Sequence, residues 1–354
     1  MQNSSLTADI ESADKNACAC CGGAKIHEFP QYLAIDSKLS LADYIGAFKV
    51  RMGMGRSDYS VAPGLYSLGN PGRDSVVIVS SNYKLTFDSL RSAIEGLDAW
   101  ILILDTRGVN VWCAAGKGTF GTEELIRKIN DCKLSLVVDH FKLILPQLGA
   151  SGVAAHEVEK ATGFKVIYGP VYASDIKSFI ASGYKKDAKM RAVEFGLIER
   201  IKVIGVEFVL AIPYLIYIFA AIFILNMLKG RGVIAKTLSD FRPFLIASLS
   251  GTCAVPVLLP WLPTRSFAIK GLFAGAISFL AGALFSKKSA VGRLAEALII
   301  PSISSMLALN FTGATTYTAE STTIREVKAF FKPLLISAIA GAFIYVFDIL
   351  SEKR

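Results

Sequence analysis

The sequence predicts an α/β domain with a Rossmann-like parallel sheet, followed by an all-α transmembrane bundle. Two observations carry this reading. Between residues 76 and 182, short continuous apolar runs alternate with helical patterns, as the strands and crossover helices of a parallel sheet require. Beyond residue 203, apolar stretches of membrane-spanning length dominate and lift the mean hydropathy of the 354 residues to +0.47. The composition shift near residue 200 is the main boundary. It gives four segments: a cysteine-containing tail at 1–29, disordered by composition; the α/β domain at 30–184; a basic juxtamembrane linker at 185–202; and a transmembrane domain of about five helices at 203–350.

The elements follow in order. Residues 30–75 are Gly-rich and poorly periodic, with turn material at Met52-Gly53-Met54-Gly55 and Gly69-Asn70-Pro71-Gly72. Val76–Val79 reads as a strand buried on both faces. Leu85–Leu97 reads as a helix, Trp100–Leu104 as a second strand and Thr122–Asn130 as a second helix. Leu134–Val138 reads as a third strand, Val153–Thr162 as a third helix, Lys165–Tyr168 as a fourth strand and Ser174–Ser182 as a fourth helix. Apolar runs near 203–228, 244–263, 267–286, 294–314 and 329–350 suggest five spans, with four as the alternative. Pro256, Pro260 and Pro263 make the second a kinked or re-entrant segment.

The net charge of +9 has a membrane explanation that needs no nucleic acid. Lys185, Lys186, Lys189, Arg191, Arg200 and Lys202 crowd before the first apolar run, as basic residues do on the cytoplasmic side. Lys229, Arg231, Lys236 and Arg242 make the next loop basic too, so charge alone does not set the topology. The N-terminus carries no basic-then-apolar leader. The six cysteines (18, 20, 21, 113, 132 and 253) lack an extracellular disulfide pattern, which fits a reducing cytoplasm and an inner-membrane, multi-pass protein.

Ligands of parallel sheets bind beyond the carboxyl ends of the strands. The segments there are Ser80-Ser81-Asn82-Tyr83-Lys84, Asn110-Val111-Trp112-Cys113-Ala114-Ala115-Gly116-Lys117-Gly118-Thr119, His140 with Leu145–Gly152, and Gly169-Pro170. They are rich in backbone amides, small side chains and neutral polar groups, which suits a large, flat, amide-decorated ligand. Gly116-Lys117 is not a phosphate loop, because Gly118 stands where Ser or Thr is needed and Val111 where Gly is needed. Cys113, between a strand end and a helix start, is either a small buried core residue or a functional thiolate suited to a soft metal. Cys18 and Cys21 have C-x-x-C spacing with His27 near, in a tail where incidental thiols and transient soft-metal capture are both open. His140 and His156 read as structural, and Cys132 and Cys253 as buried small residues. Glu207, alone in an apolar helix, marks a pathway or a helix contact.

Asn110-Val111-Trp112-Cys113-Ala114-Ala115-Gly116-Lys117 resembles the signature of the corrinoid protein of the mercury-methylation pair. Residues 60–182 also resemble the corrinoid domain of the corrinoid iron–sulfur protein of acetyl-CoA synthesis, through Pro63–Tyr66, Asn82–Lys84, Lys142–Gly149 and Gly169-Pro170. Both families share the cysteine motif; the attached membrane bundle is the mercury-methylation architecture. The resemblance implies a cobalamin-type corrinoid bound base-off, with Cys113 as lower axial ligand to cobalt. It implies that Asn110, Val111, Trp112, Ala114, Gly116 and Lys117 shape the helix under that face. Ser81, Asn82, Tyr83, Gln147, Leu148, Gly149, Gly152 and Gly169 would hold the corrin edge or tail. It further implies a methyltransferase that carries a methyl group on cobalt and passes it to mercury(II), forming methylmercury. Implied partners are a ferredoxin-like protein with two 4Fe-4S clusters, a methyl-donor protein or methyltetrahydrofolate-type donor, and the lipid bilayer. The alternatives are a membrane-anchored methyl carrier with another acceptor, and a corrinoid-binding or transport protein without methyl transfer.

Overall fold

The computed structural model describes residues 31–230, 233–284, 288–314 and 320–351. Cys18, Cys20, Cys21 and the tail at 1–29 lie outside the described residues.

The first unit holds a six-stranded sheet. Its strands are β1 (Leu33–Ile35), β2 (Gly64–Leu68), β3 (Val77–Ser81), β4 (Ala99–Leu104), β5 (Lys142–Leu145) and β6 (Lys165–Tyr168), in the order β1-β2-β4-β3-β5-β6. All pairs are parallel except β2–β4, so the sheet is mixed rather than wholly parallel. The helices of this unit are α1 (Leu41–Arg51), α2 (Lys84–Ala93), α3 (Val111–Lys117), α4 (Thr122–Asp131), α5 (Leu134–Val137), α6 (Ala155–Thr162) and α7 (Ile176–Ala181).

Side chains alternate across the pleat, and each face builds its own core. Val77, Val79, Leu102, Leu104, Leu143 and Leu145 pack with Ala114, Leu125, Leu134 and Val158 from α3, α4, α5 and α6. Ile78, Ile101, Ile103 and Ile144 pack with Phe87, Leu90, Ile176 and Phe179 from α2 and α7. With both faces covered, β3 and β4 have to be apolar at nearly every position, which is the pattern seen in the sequence.

The expected third strand, Leu134–Val138, is a correction: it forms the helical turn α5, and the strand is Lys142–Leu145. Leu134 and Val137 are buried while Leu136 is 49% exposed, a helical rather than an alternating pattern. The segment at 30–75, expected to be irregular, supplies β1, α1 and β2. Ser40 and Asp43 close a reciprocal capping box that starts α1.

The second unit is helical. It contains α8 (Leu197–Leu228), α9 (Val233–Leu249), α10 (Val255–Leu258), α11 (Phe267–Ala283), α12 (Ala290–Asn310) and α13 (Glu320–Ser351). A π turn at Ser250–Ala254 joins α9 to α10 just before Pro256, and the helix stops at Leu258, ahead of Pro260 and Pro263. Among the described residues, four helices are long and apolar enough to cross a membrane: Leu197–Leu228, Ile234–Leu258, Ala290–Asn310 and Ser321–Ser351. α11, at 17 residues, spans roughly 25 Å, short of a hydrocarbon core of about 30 Å. It packs tightly on α12 through small residues: a Cβ on Gly271 would lie 2.5 Å from Ser305 Cα, and one on Gly275 2.6 Å from Pro301 Cα. Arg200 and Lys202, placed in the linker by sequence, lie inside α8.

The two units touch where α8 meets the end of α1. A Cβ on Gly205 would lie 2.7 Å from Met52 Cε and 3.3 Å from Arg51 O.

Candidate functional site

The chain leaves β3 toward β4 on one side, then returns across β3 to β5 on the other, so β3 and β5 flank the switch point of the sheet. They pair only at Val77↔Leu143 and Ile78↔Ile144 and separate beyond. A groove of about 460 Å³ opens there. Ser80 and Tyr83 line it from the end of β3, Pro146 and Leu148 from the end of β5, and Gly169, Pro170 and Tyr172 from the segment after β6. Asn110, Val111 and Trp112 close one side, and Arg51 at the end of α1 reaches another. Ligands of open α/β sheets bind in this crevice. Burial raises the Tyr83 phenol above its ordinary pKa, against the pull of the Arg56 charge.

α3 begins beside the groove. Asn110 is its N-cap, and its side-chain oxygen accepts the Cys113 N–H at 2.9 Å. Gly118, in the left-handed conformation at φ 79°, ends the helix after seven residues. One face of α3 is buried through Val111, Ala114 and Ala115. The other is open: Trp112 is 52% exposed, and Cys113, Gly116 and Lys117 are also exposed. A Cβ on Gly116 would meet nothing within 4 Å. A helix-interior glycine costs about 0.5–1 kcal/mol relative to alanine. Nothing inside the described chain requires it, and the space over Gly116 beside Cys113 is open.

Asn82 does not line the groove; it holds α3 in place. Its side-chain oxygen accepts from Thr106 N at 3.1 Å, Thr106 Oγ1 at 2.7 Å and Gly108 N at 3.0 Å, pinning the loop that leads to α3. Thr106 and this loop carried no sequence signal beyond Gly108. Ser81 is fully buried, and its Oγ has no hydrogen-bond partner among the described residues.

The structure thus brings Tyr83, Asn110, Val111, Trp112, Leu148 and Gly169 to the groove, with Cys113, Gly116 and Lys117 on the adjoining open face. It places the others in support. Ala114 is buried in the core, and Gln147 accepts a hydrogen bond from Lys186. Gly149 and Gly152 are packing glycines: a Cβ there would lie 2.5 Å from Phe120 Cε1 and 2.2 Å from Phe120 O, respectively. His140 lies at the start of β5, at the opposite end of the sheet, with its Nε2 2.8 Å from Ser75 O. Arg51 and Tyr172 were not singled out in the sequence, because α1 and the segment after β6 take their places only in the fold; Ser80 and Pro146 lie in the strand-end segments expected to line the site, though not among the residues expected to hold the ligand.

Asn110→Ala removes the cap. It is expected to cost about 1 kcal/mol in chemical unfolding and to raise hydrogen exchange at the amides of α3. Unchanged protection of the Cys113 amide would show that α3 does not depend on this cap.

Among the described residues, no three His, Cys, Asp or Glu side chains gather into a metal-binding group.

Residues 54–180 match the family model described as CO dehydrogenase/acetyl-CoA synthase delta subunit. The gamma subunit of the acetyl-CoA decarbonylase/synthase complex of Archaeoglobus fulgidus is 30% identical over 131 residues, covering 36% of this chain and 27% of the relative. The same subunit from Methanopyrus kandleri is 32% identical over 127 residues, covering 35% and 27%. The corrinoid/iron-sulfur protein large subunit of Moorella thermoacetica is 32% identical over 117 residues, covering 32% and 26%. The chain spans about a quarter of the length of these curated relatives. The stretch matched by the family model contains α3 and the groove's lining apart from Arg51 and ends before α8, so it supports a corrinoid-related α/β domain.

Proposed function

We propose that this chain is a membrane-held, corrinoid-dependent methyltransferase whose acceptor is mercury(II), with methylmercury as product. One observation carries the corrinoid part: the open face of α3, with Cys113 beside the side-chain-free Gly116, adjoins the switch-point groove inside the stretch that resembles corrinoid proteins. A flat macrocycle needs such an open face, and a bulkier residue at Gly116 would stand in its way. The groove is sized for one arm of such a ligand rather than the whole of it, within the roughly 300–1,000 Å³ of small-molecule pockets. That favours a base-off mode, with the nucleotide tail in the groove. The orphaned Ser81 Oγ is a further polar group at the end of β3.

When bound, the cofactor supplies a cobalt centre that accepts a methyl group and releases it to a soft electrophile. Cys113 would offer its soft sulfur to that metal centre. Asn110 holds the Cys113 backbone, and Asn82 holds the loop before it. Trp112, Leu148, Tyr83 and Gly169 line the groove. Reducing equivalents would come from a ferredoxin-like partner with two 4Fe-4S clusters, and the methyl group from a methyltetrahydrofolate-type donor or a donor protein. The membrane would be the cytoplasmic one, with the α/β domain on its cytoplasmic side.

The choice of mercury rests on the four membrane-length helices joined to the corrinoid-related domain. A second reading, a methyl carrier with another acceptor, is favoured by the names of the curated relatives, which are subunits of acetyl-CoA complexes. Full-length protein purified in detergent with a corrinoid separates the two. A visible corrinoid spectrum and methylmercury formed from added mercury(II), methyl donor and reduced ferredoxin are expected. A normal spectrum without methylmercury favours the second reading; failure to retain corrinoid overturns both.

A further inference from the structure

A second cavity, of about 550 Å³, lies in the helical unit, at the end joined to the α/β domain. Arg200 in the first turns of α8, Arg265 in the loop before α11, and Lys270 in α11 all face it. Arg200 and Lys270 are 5% and 8% exposed. Part of their role is structural. Arg200 Nη1 donates to Pro256 O at 3.1 Å and Val257 O at 2.7 Å; Lys270 Nζ donates to Leu259 O at 2.7 Å. The residues four positions after Pro256 and Leu259 are Pro260 and Pro263, which have no N–H to give. The two cations replace those missing donors.

Their charge is not accounted for in this way, because neutral donors would satisfy carbonyls equally well. Arg200 Nη2 makes no hydrogen bond to a described residue, and Lys270 Nζ uses one of its three donors. Arg200, Arg265 and Lys270 form no ion pair with a described carboxylate. The nearby Glu326 is taken up at the start of α11, where its Oε1 accepts from Ser266 Oγ at 2.5 Å and Ala268 N at 2.7 Å. Three cations around one partly buried cavity call for an anion. Two features say which kind. Leu259, Leu262 and Phe267 give the cavity an apolar wall, and Trp261 beside it is 72% exposed, as an interfacial aromatic anchor is.

We propose that this cavity binds a phosphate-bearing anion, and that the anion is the headgroup of an acidic membrane phospholipid. The proposal uses only the helical unit in a bilayer and is independent of the corrinoid and mercury readings. Basic pockets at the ends of membrane helices recognise such headgroups.

The test uses the full chain in detergent, loaded with phosphatidylglycerol or phosphatidylcholine and read by native mass spectrometry. Phosphatidylglycerol should be retained preferentially. Arg265→Gln, an exposed substitution, and Lys270→Gln, which keeps an amide donor for Leu259 O, should each lower that preference about fivefold, the effect of one basic residue at an anionic surface. Equal preference in wild type and both variants, at unchanged unfolding temperature, would overturn the site. A parallel arm adds glycerol 3-phosphate to protein in phosphatidylcholine nanodiscs. If this soluble phosphate stabilises the wild type as strongly as phosphatidylglycerol does, the lipid assignment is overturned in favour of a soluble ligand.

Discussion

Under the proposed function, Cys113→Ala is expected to lower methylmercury formation by more than about 100-fold, beyond the 10–100-fold cost of losing a group that merely orients a metal ligand. Folding should hardly change. The side chain is exposed and its sulfur makes no hydrogen bond to a described residue. The one contact fixed there, the Cys113 N–H to Asn110 Oδ1, belongs to the backbone and survives the substitution. Exposed changes of this kind usually fall within about 0.5 kcal/mol of wild type. Thermal unfolding and corrinoid content therefore serve as internal controls, and a bound corrinoid held by the Cys113 sulfur as proposed would change its visible spectrum. Methylation at wild-type rate, with normal protein and cofactor levels, would remove Cys113 from the chemistry.

The setting of Cys113 was legible in the sequence for a physical reason. Strands covered on both faces are apolar throughout, so β3, β4 and β6 announced themselves, and with them the strand ends where a ligand binds. Short apolar runs do not distinguish a strand from a buried helical turn. Leu134–Val138 and Lys142–Leu145 offered two such runs, and only packing decides that the first turns and the second extends. The antiparallel β2 was hidden by its glycine-rich surroundings, although Leu65, Tyr66, Ser67 and Leu68 are all buried. For α1 a local signal did exist, the Ser40-x-x-Asp43 capping pattern, but its side chains are mostly exposed, and no apolar stripe drew attention to it.

The same physics divides the site. Small residues around a ligand and small residues inside a tight helix contact look alike in sequence. Gly116 has open space where its side chain would be, whereas Gly149 and Gly152 are filled by Phe120. Asn82 looked like a ligand contact because it follows a strand. Its three accepted hydrogen bonds instead fix the approach of the loop to α3, and that pairing across 24 to 26 residues has no local signature.

Arg91→Met is expected to be the most destabilising single change in the α/β unit, at about 3–5 kcal/mol, because it strands buried carboxylates. Arg91 Nε donates to Asp88 Oδ1 at 2.8 Å and Nη2 to Asp43 Oδ2 at 2.8 Å, while Nη1 donates to the carbonyls of Asp36 and Lys38. Lys84 bridges the same two carboxylates, so two cations balance two anions. Removing Arg91 leaves a net negative charge and two carbonyls without their donor. The pH dependence follows. Burial pushes the Asp43 carboxyl up, but hydrogen bonds from Lys84 and Ser40 outweigh it and hold the group well below its ordinary value. A carboxyl depressed in the folded state contributes stability that is complete above its unfolded pKa of about 3.9 and is lost as pH falls toward its folded value. Lys84 and Ser40 remain in Arg91→Met, so the gap from wild type reports only the share that Arg91 adds through its 2.8 Å bond to Asp43 Oδ2; that share should be full at neutral pH and narrow below about pH 4, and a gap independent of pH would show that packing, not charge, is what Arg91 supplies. The network joins α2 to α1 and to the turn before it, and α1 ends at Arg51, which lines the groove and lies against Gly205 of α8. Loosening it should raise hydrogen exchange over residues 40–51 first and lower corrinoid retention with it, because α1 is both a wall of the groove and the contact with the helical unit.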